Sequence, residues 1–259
     1  MKKKKEKRVR MTPRDREILL MLDKVGIARA GDVMILTGFK NVVSCRKRLG
    51  VLVKEGYIRI EKWDGSNCYM LTYTGLNEIE KDNAKPIEWC QASRHMMMLT
   101  RVITYLVACE AIEFEEIETD KELKAKFFNN PTKPHLPDAV YGKTCFELEL
   151  TIKDATRLEK NILANSRNYE RQIWIIPDTR PVLKKRILEI ATKNIIEDKI
   201  EVDSWDEIER RIKDLTEPKK SAKKEPEADD MDGLFESNDD NEEDVQEVYE
   251  DEFGPCDIL

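Results

Sequence analysis

The chain has 259 residues, of which 40% are hydrophobic and 37% are charged, and its formal net charge at pH 7 is -7. The charged fraction is well above the roughly 25% of an average soluble domain, and at roughly 100–200 residues per domain the length predicts one large domain or two small ones. No apolar run approaches the roughly 18 residues of a membrane-spanning helix, and no apolar segment follows Lys2 to Lys5, so we expect a cytoplasmic protein without a membrane anchor.

The six cysteines and two histidines are scattered along the chain, and no two cysteines form a CxxC pair. A zinc site needs closely spaced thiolate or imidazole ligands, and disulfide frameworks belong to short secreted chains. We therefore expect isolated thiols in a reducing compartment.

The net charge conceals a strongly polarised chain. Residues 225–259 contain 16 acidic residues and no Lys or Arg, whereas residues 1–63 contain 18 Lys and Arg against 7 Asp and Glu, a net charge of +11. A basic segment of this kind attracts polyanions, and an acidic segment with few apolar residues is expected to stay disordered.

The first 84 residues have the pattern of a winged helix-turn-helix. Thr12-Pro13 predicts the start of a first helix, and a second, short helix is predicted from about Ala30 to Leu36. A third helix is predicted from Asn41 to about Glu55. Alternating residues 57–63, a turn at Asp64-Gly65 and a return strand up to Tyr73 predict a hairpin after the helices. Three helices followed by a two-stranded wing predict a DNA-binding domain over residues 1–84.

The segment from Lys47-Arg48-Leu49 through Leu52 to Gly56-Tyr57-Ile58 resembles many prokaryotic DNA-binding winged helices. A helix fits the major groove, basic side chains neutralise phosphates, and short polar residues near the helix start reach base edges. The alternative to DNA binding is a winged helix that binds a protein, in which the charged face is exposed to solvent and contacts no nucleic acid. The candidate DNA-binding residues are Asn41, Ser44, Arg46, Lys47, Arg48 and Lys62.

Residues 90–215 predict a second domain in the order helix, strand, strand, strand, helix, strand. This order is the core of the PD-(D/E)xK nuclease-like fold, so the fold class predicted for the whole chain is α+β with a mixed sheet. The first helix spans Arg94 to Glu110, and we expect His95 on it to be a capping or packing residue. The predicted strands are Ala111 to Glu118, Asp138 to Tyr141, Thr144 to Ile152 and Ile173 to Ile176.

Three carboxylates of this domain are candidate catalytic and metal-binding residues. Asp138 opens one predicted strand, and Glu147 and Glu149 share one face of the next. Clustered carboxylates bind Mg²⁺, which can activate water against a phosphate. The sequence therefore predicts a Mg²⁺ site at the end of two adjacent strands.

Residues 12–215 as a whole resemble the replication-relaxation family of plasmids, phages and integrative elements. The residues that carry the resemblance are Pro137-Asp138-Ala139, Glu147-Leu148-Glu149 and the helix with Leu158 and Tyr169. The resemblance implies a winged helix joined to a nuclease-like domain. It also implies a role in the replication or transfer of mobile-element DNA.

One residue departs from the nuclease pattern, because Glu149 stands where that fold has a lysine. Lys153 or Lys160 could supply the missing charge, which would leave a metal-dependent endonuclease. Otherwise the site is degenerate and the domain serves DNA binding or acts as an adaptor to a partner protein. We favour the non-catalytic alternative.

Residues 216–259 predict a charged linker followed by a disordered acidic tail. The tail either keeps the chain soluble or docks on a basic partner, such as a replication or transfer protein or the protein's own basic segment. The sequence predicts neither a DNA target nor an oligomeric state.

Overall fold

The computed structural model describes residues 10–128, 135–151 and 154–216, and all of them belong to one compact unit, Met1–Glu217. This part of the chain is an α+β structure with helices and a mixed β-sheet, in agreement with the predicted class. The predicted acidic tail and the candidate residue Lys153 lie outside the described residues. Within the three described ranges, no helix is long and apolar enough to cross a membrane.

The N-terminal half, residues 10–84, consists of three helices, a hairpin and a short fourth helix. Its helices are α1 (Pro13–Val25), α2 (Ala30–Leu36), α3 (Val42–Lys54) and α4 (Tyr73–Glu78). Its strands are β1 (Ala28–Arg29), β2 (Ile58–Trp63) and β3 (Ser66–Leu71). They form an antiparallel sheet in the order β1-β3-β2, so the predicted hairpin is confirmed and gains a third, two-residue strand.

The start of α1 follows the predicted capping chemistry. The Thr12 side chain accepts a hydrogen bond from the backbone N–H of Asp15, and the Asp15 carboxylate accepts one from the backbone N–H of Thr12 at 2.7 Å. Pro13 occupies the first helical position, where a missing N–H costs nothing. The helix ends at Gly26, whose φ of 84° lies in the region that favours glycine.

The C-terminal half, residues 90–216, contains a five-stranded sheet flanked by helices. Its helices are α5 (Gln91–Cys109), α6 (Asp120–Lys126), α7 (Ala155–Asn168), α8 (Pro181–Lys193) and α9 (Trp205–Thr216). Its strands are β4 (Ile117–Thr119), β5 (Ala139–Tyr141), β6 (Thr144–Leu148), β7 (Arg171–Ile176) and β8 (Ile200–Ser204). The strand order is β4-β5-β6-β7-β8, with β4, β5 and β6 antiparallel and β6, β7 and β8 parallel.

Three local predictions differ from the structure. The strand predicted from Thr144 to Ile152 ends at Leu148, so the candidate residue Glu149 lies beyond it. The strand predicted from Ala111 begins only at Ile117, because Phe114–Glu116 forms a turn of 3-10 helix. Helix α6 was not predicted, although its capping box gives a sequence signal: the Glu122 carboxylate accepts hydrogen bonds from the N–H and the hydroxyl of Thr119.

The large sheet has an apolar layer on each face. Phe146, Ile173 and Ile175 face one way and pack in one core cluster with residues of α5 and α9. Trp174 and Ile176 face the other way and pack with residues of α7 and α8. The sheet therefore lies between two helical layers, as the period-2 alternation of its strands requires.

The first of these clusters also includes the interior of the N-terminal half. Leu22 and Ile27 belong to the same buried cluster as Met97 and Val102 of α5, and α5 contacts both α1 and α2. The hydroxyl of Thr100 on α5 donates to the carbonyl of Ile27 at 2.7 Å. The two halves thus share one hydrophobic core.

Candidate functional site

The first turn of α3 uses two of the candidate polar residues to cap the helix. The Asn41 side-chain oxygen accepts a hydrogen bond from the backbone N–H of Ser44 at 2.9 Å. The Ser44 hydroxyl donates to the Asn41 carbonyl at 2.9 Å. Both residues are exposed at the helix start, and both satisfy backbone groups that would otherwise lack partners.

The outward face of α3 carries exposed residues of mixed character. With 3.6 residues per turn, Val43, Arg46, Lys47 and Gly50 fall within an arc of about 100°. All four are exposed, and the side chain of Val43 is 54% accessible. Neither Arg46 nor Lys47 forms an ion pair within the described part of the chain. This face therefore presents the two unpaired cations, the apolar side chain of Val43 and, at Gly50, no side chain.

Arg48 is next to Lys47 in sequence but has a different environment. Its guanidinium forms two hydrogen bonds to the carboxylate of Asp15, which is fully buried on α1. Burial would raise the pKa of Asp15, but Arg48 and Thr12 outweigh it and lower this pKa. Arg48 therefore joins α3 to α1, and its donors are committed within the fold.

The β2–β3 hairpin faces α3 across a groove of about 690 Å³. The hairpin turns at Asp64 and Gly65, both with positive φ, which is the geometry of a two-residue type I′ turn. Lys62 on β2 is exposed and has no ion-pair partner among the described residues. Arg46 and Lys62 both line the groove, which is therefore basic on its two sides.

The second candidate site lies where β5 and β6 pair. Ala139 is opposite Phe146 in the antiparallel register, which brings the preceding Asp138 opposite Glu147. The Asp138 carboxylate accepts a hydrogen bond from the backbone N–H of Leu148 at 2.8 Å. The structure thus brings these two predicted carboxylates together, as the sequence indicates.

Both histidines of the chain flank this carboxylate pair. His95 Nε2 lies 3.3 Å from Asp138 Oδ2 and 3.1 Å from the Leu148 carbonyl. His135 Nε2 lies 2.6 Å from Glu147 Oε1. The role of His135 was missed, because a single histidine in a loop carries no periodic signal. Its position three residues before Asp138 was the only available hint.

The carboxylate of Glu147 is enclosed by the fold. Its Oε1 also accepts a hydrogen bond from Asn165 Nδ2 at 2.8 Å, and Asn165 Oδ1 is buried without a hydrogen-bond partner in the described structure. Burial raises the pKa of Glu147, although His135 and Asn165 act in the opposite direction. Burial would lower the pKa of His95, but Asp138 and the Leu148 carbonyl raise it overall.

Asp138 and Glu147 are the two candidate Mg²⁺ ligands that the structure places opposite each other. No group of three or more His, Cys, Asp or Glu in the described ranges is arranged to hold a metal ion. One oxygen of each carboxylate accepts a hydrogen bond from an N–H donor: Asp138 Oδ2 from Leu148 and Glu147 Oε1 from Asn165. Glu149 is buried just beyond β6, and its N–H donates to the Ile175 carbonyl at 3.0 Å.

No protein-family model, curated protein or solved structure matches this chain.

Proposed function

We propose that this protein binds double-stranded DNA through the outward face of α3 and the β2–β3 hairpin, in the manner of a winged helix-turn-helix. The observation that carries the proposal is that Arg46 and Lys47 on α3 and Lys62 on β2 are exposed and have no ion-pair partner in the described structure. Fully solvated cations on a helix and a neighbouring hairpin can neutralise phosphates without breaking internal contacts.

The shape of this surface suits a duplex. An α-helix fits the major groove, and side chains near its first turns reach base edges. The exposed methyl groups of Val43 provide an apolar contact of the kind that thymine methyl groups accept. Gly50 has no atom within 4 Å of an added Cβ, so the helix leaves space there for close approach of DNA.

We further propose that the protein acts in replication or transfer of mobile-element DNA, with replication or transfer proteins as partners. The resemblance of residues 12–215 to the replication-relaxation family supports this role. For Asp138 and Glu147 we propose a structural role, because their hydrogen bonds to neighbouring donors tie the sheet to α5 and α7.

The proposal is tested with the full-length protein and a fluorescent duplex of random sequence, measured by anisotropy over a salt series. We expect log Kd to change steeply with log salt. Arg46→Gln combined with Lys47→Gln should weaken binding at least tenfold. At about 0.9 per phosphate contact, the variant should also lower the salt slope by about 1.8.

The matched control is Lys184→Gln combined with Lys185→Gln. These two lysines are exposed on α8, which packs on the opposite face of the sheet from α5, and their substitution removes the same charge. We expect the control to bind like the wild type. Equal losses in both double variants, or binding that is insensitive to salt, would refute the proposed interface.

A further inference from the structure

Helix α9 begins at the edge strand of the C-terminal sheet and ends against the N-terminal half. Its buried residues Ile208 and Ile212 face inward, and it contacts both α5 and α2. At its last residue, the Thr216 side chain approaches α2 so closely that a Cβ on Gly31 would lie 2.7 Å from it. Only glycine allows the end of α9 to take this position.

A network of buried and partly buried charges connects α9 to α2 and α5. Glu209 accepts hydrogen bonds from Arg29 Nη1 at 3.1 Å and from Arg101 Nε at 2.8 Å. Arg101 Nη1 also donates to Asp32 at 2.7 Å, and both of these residues are buried. The network joins α2, α5 and α9, so the C-terminal end of α9 has a defined position beside α3 and the hairpin.

Lys213 on α9 is near this network but forms no hydrogen bond with it. Its Nζ lies 3.9 Å from Glu209 Oε1, beyond hydrogen-bond distance, and Glu209 is already shared by two arginines. The Lys213 side chain is about half exposed. Among the described residues, its ion-pair partner is therefore a carboxylate that two arginines also use.

Lys213 lines the same groove as Arg46 and Lys62. Five basic residues and one acidic residue line this groove: Arg29, Arg46, Lys62, Arg101, Lys213 and Asp64. Since Lys213 lies in the last turn of α9, its ammonium also offsets the negative end of the helix dipole, which would otherwise repel a phosphate.

We infer that Lys213 binds a phosphate of the same duplex that α3 and the hairpin contact, so that the DNA interface spans both halves of the chain. This inference rests on the proposed function. It assigns to the C-terminal half a direct part in DNA binding that is independent of any nuclease chemistry.

The test uses full-length Lys213→Gln in the same anisotropy assay and salt series. We expect binding three- to tenfold weaker than wild type and a salt slope lower by about 0.9, the value of one phosphate contact. Lys213→Arg should restore both quantities, because the inferred role needs a positive charge. In combination with the α3 double variant, the slope reduction should reach about 2.7 if all three cations contact one duplex.

The control is Lys185→Gln, since Lys185 forms an i,i+4 pair with Glu189 at 3.7 Å that resembles the Lys213–Glu209 pair but lies on α8. Equal affinity and slope for Lys213→Gln and this control, with the α3 variant still impaired, would overturn the inference and leave the proposed function standing. Absence of wild-type duplex binding would overturn both. Polyglutamate binding that depends on Lys213, without such dependence for DNA, would reassign the groove to an acidic peptide.

Discussion

The α3–hairpin surface and the Asp138–Glu147 cluster both contain several charged residues, but these residues differ in exposure and in pairing. On α3 and β2, Arg46, Lys47 and Lys62 are exposed and lack ion-pair partners within the described residues. At the sheet, Glu147 is buried and accepts a hydrogen bond from Asn165 beside His135. Charged groups that the fold buries or pairs are committed to contacts within it, whereas unpaired surface charges remain available to a partner. The predictions below test this division.

The largest expected effect concerns Arg101, the most completely buried cation of the Glu209 network. Arg101→Met leaves Asp32 buried without its cation, so we expect the free energy of unfolding to fall by about 3–5 kcal/mol. Arg94→Met, on the exposed side of the same helix, should change it by less than about 0.5 kcal/mol. Urea denaturation measures both, and similar values for the two variants would contradict the assignment.

Asp15 is expected to contribute less, and in a manner that depends on pH. Asp15→Asn removes the charged partner of Arg48, at a cost of about 2–3 kcal/mol near neutral pH. Because the pKa of Asp15 is lowered from its usual 3.8, its stabilisation is complete above that pH and disappears as the pH falls through the lower folded value. The wild type and the variant should therefore converge below about pH 4.

The measurement is urea denaturation between pH 3 and pH 7, with Glu17→Gln as the control. Glu17 is an exposed residue of the same helix, and its loss should leave the acid dependence of the wild type intact. A constant difference between wild type and Asp15→Asn across this range would show that the ion pair does not act through ionised Asp15.

Glu147→Gln tests whether the buried carboxylate serves the fold as a protonated group. Burial raises the pKa of Glu147, so its contribution to stability falls as the pH rises from the unfolded value toward the folded one. Glutamine resembles the protonated acid, and the variant should be equal to the wild type or about 1 kcal/mol more stable at pH 8. A loss above about 2 kcal/mol at this pH would indicate that the ionised form is required.

The same cluster provides a test for metal. Because Asp138 Oδ2 and Glu147 Oε1 accept hydrogen bonds within the fold, we expect Mg²⁺ to leave the melting temperature of the wild type unchanged. DNA should be retained uncut when Mg²⁺ replaces EDTA. A rise in melting temperature with Mg²⁺, or cleavage, that is lost in Asp138→Ala would instead establish a metal site.

A small gain in stability is expected on α3. Gly50→Ala should raise the free energy of unfolding by about 0.5–1 kcal/mol, because the helix is stiffened and the new methyl group has open space. Gly31→Ala is the opposite case, since its Cβ would clash with Thr216 and should destabilise the protein. If Gly50→Ala destabilised the protein as Gly31→Ala does, the face of α3 would not be free.

Local sequence patterns predicted a large part of this architecture. The capping residue Thr12, the turn at Asp64-Gly65 and the period of α3 act over a few residues, and all appear in the structure as predicted, whereas the capping role of Asn41 was not predicted. The nuclease-like strand order predicted that Asp138 and Glu147 converge, and the antiparallel register between β5 and β6 places them opposite each other.

The tertiary structure alone decided which charges are satisfied. Lys47 and Arg48 are adjacent and chemically alike, but they point in directions about 100° apart, and only Arg48 meets a carboxylate on another helix. His95 and His135 are 40 positions apart in the chain, but the tertiary structure brings them to the same carboxylate pair. The sequence determined which charged residues are present and where the local helices and turns form. Which of these charges pair with one another depends on contacts between residues far apart in the chain, and no local period encodes such contacts.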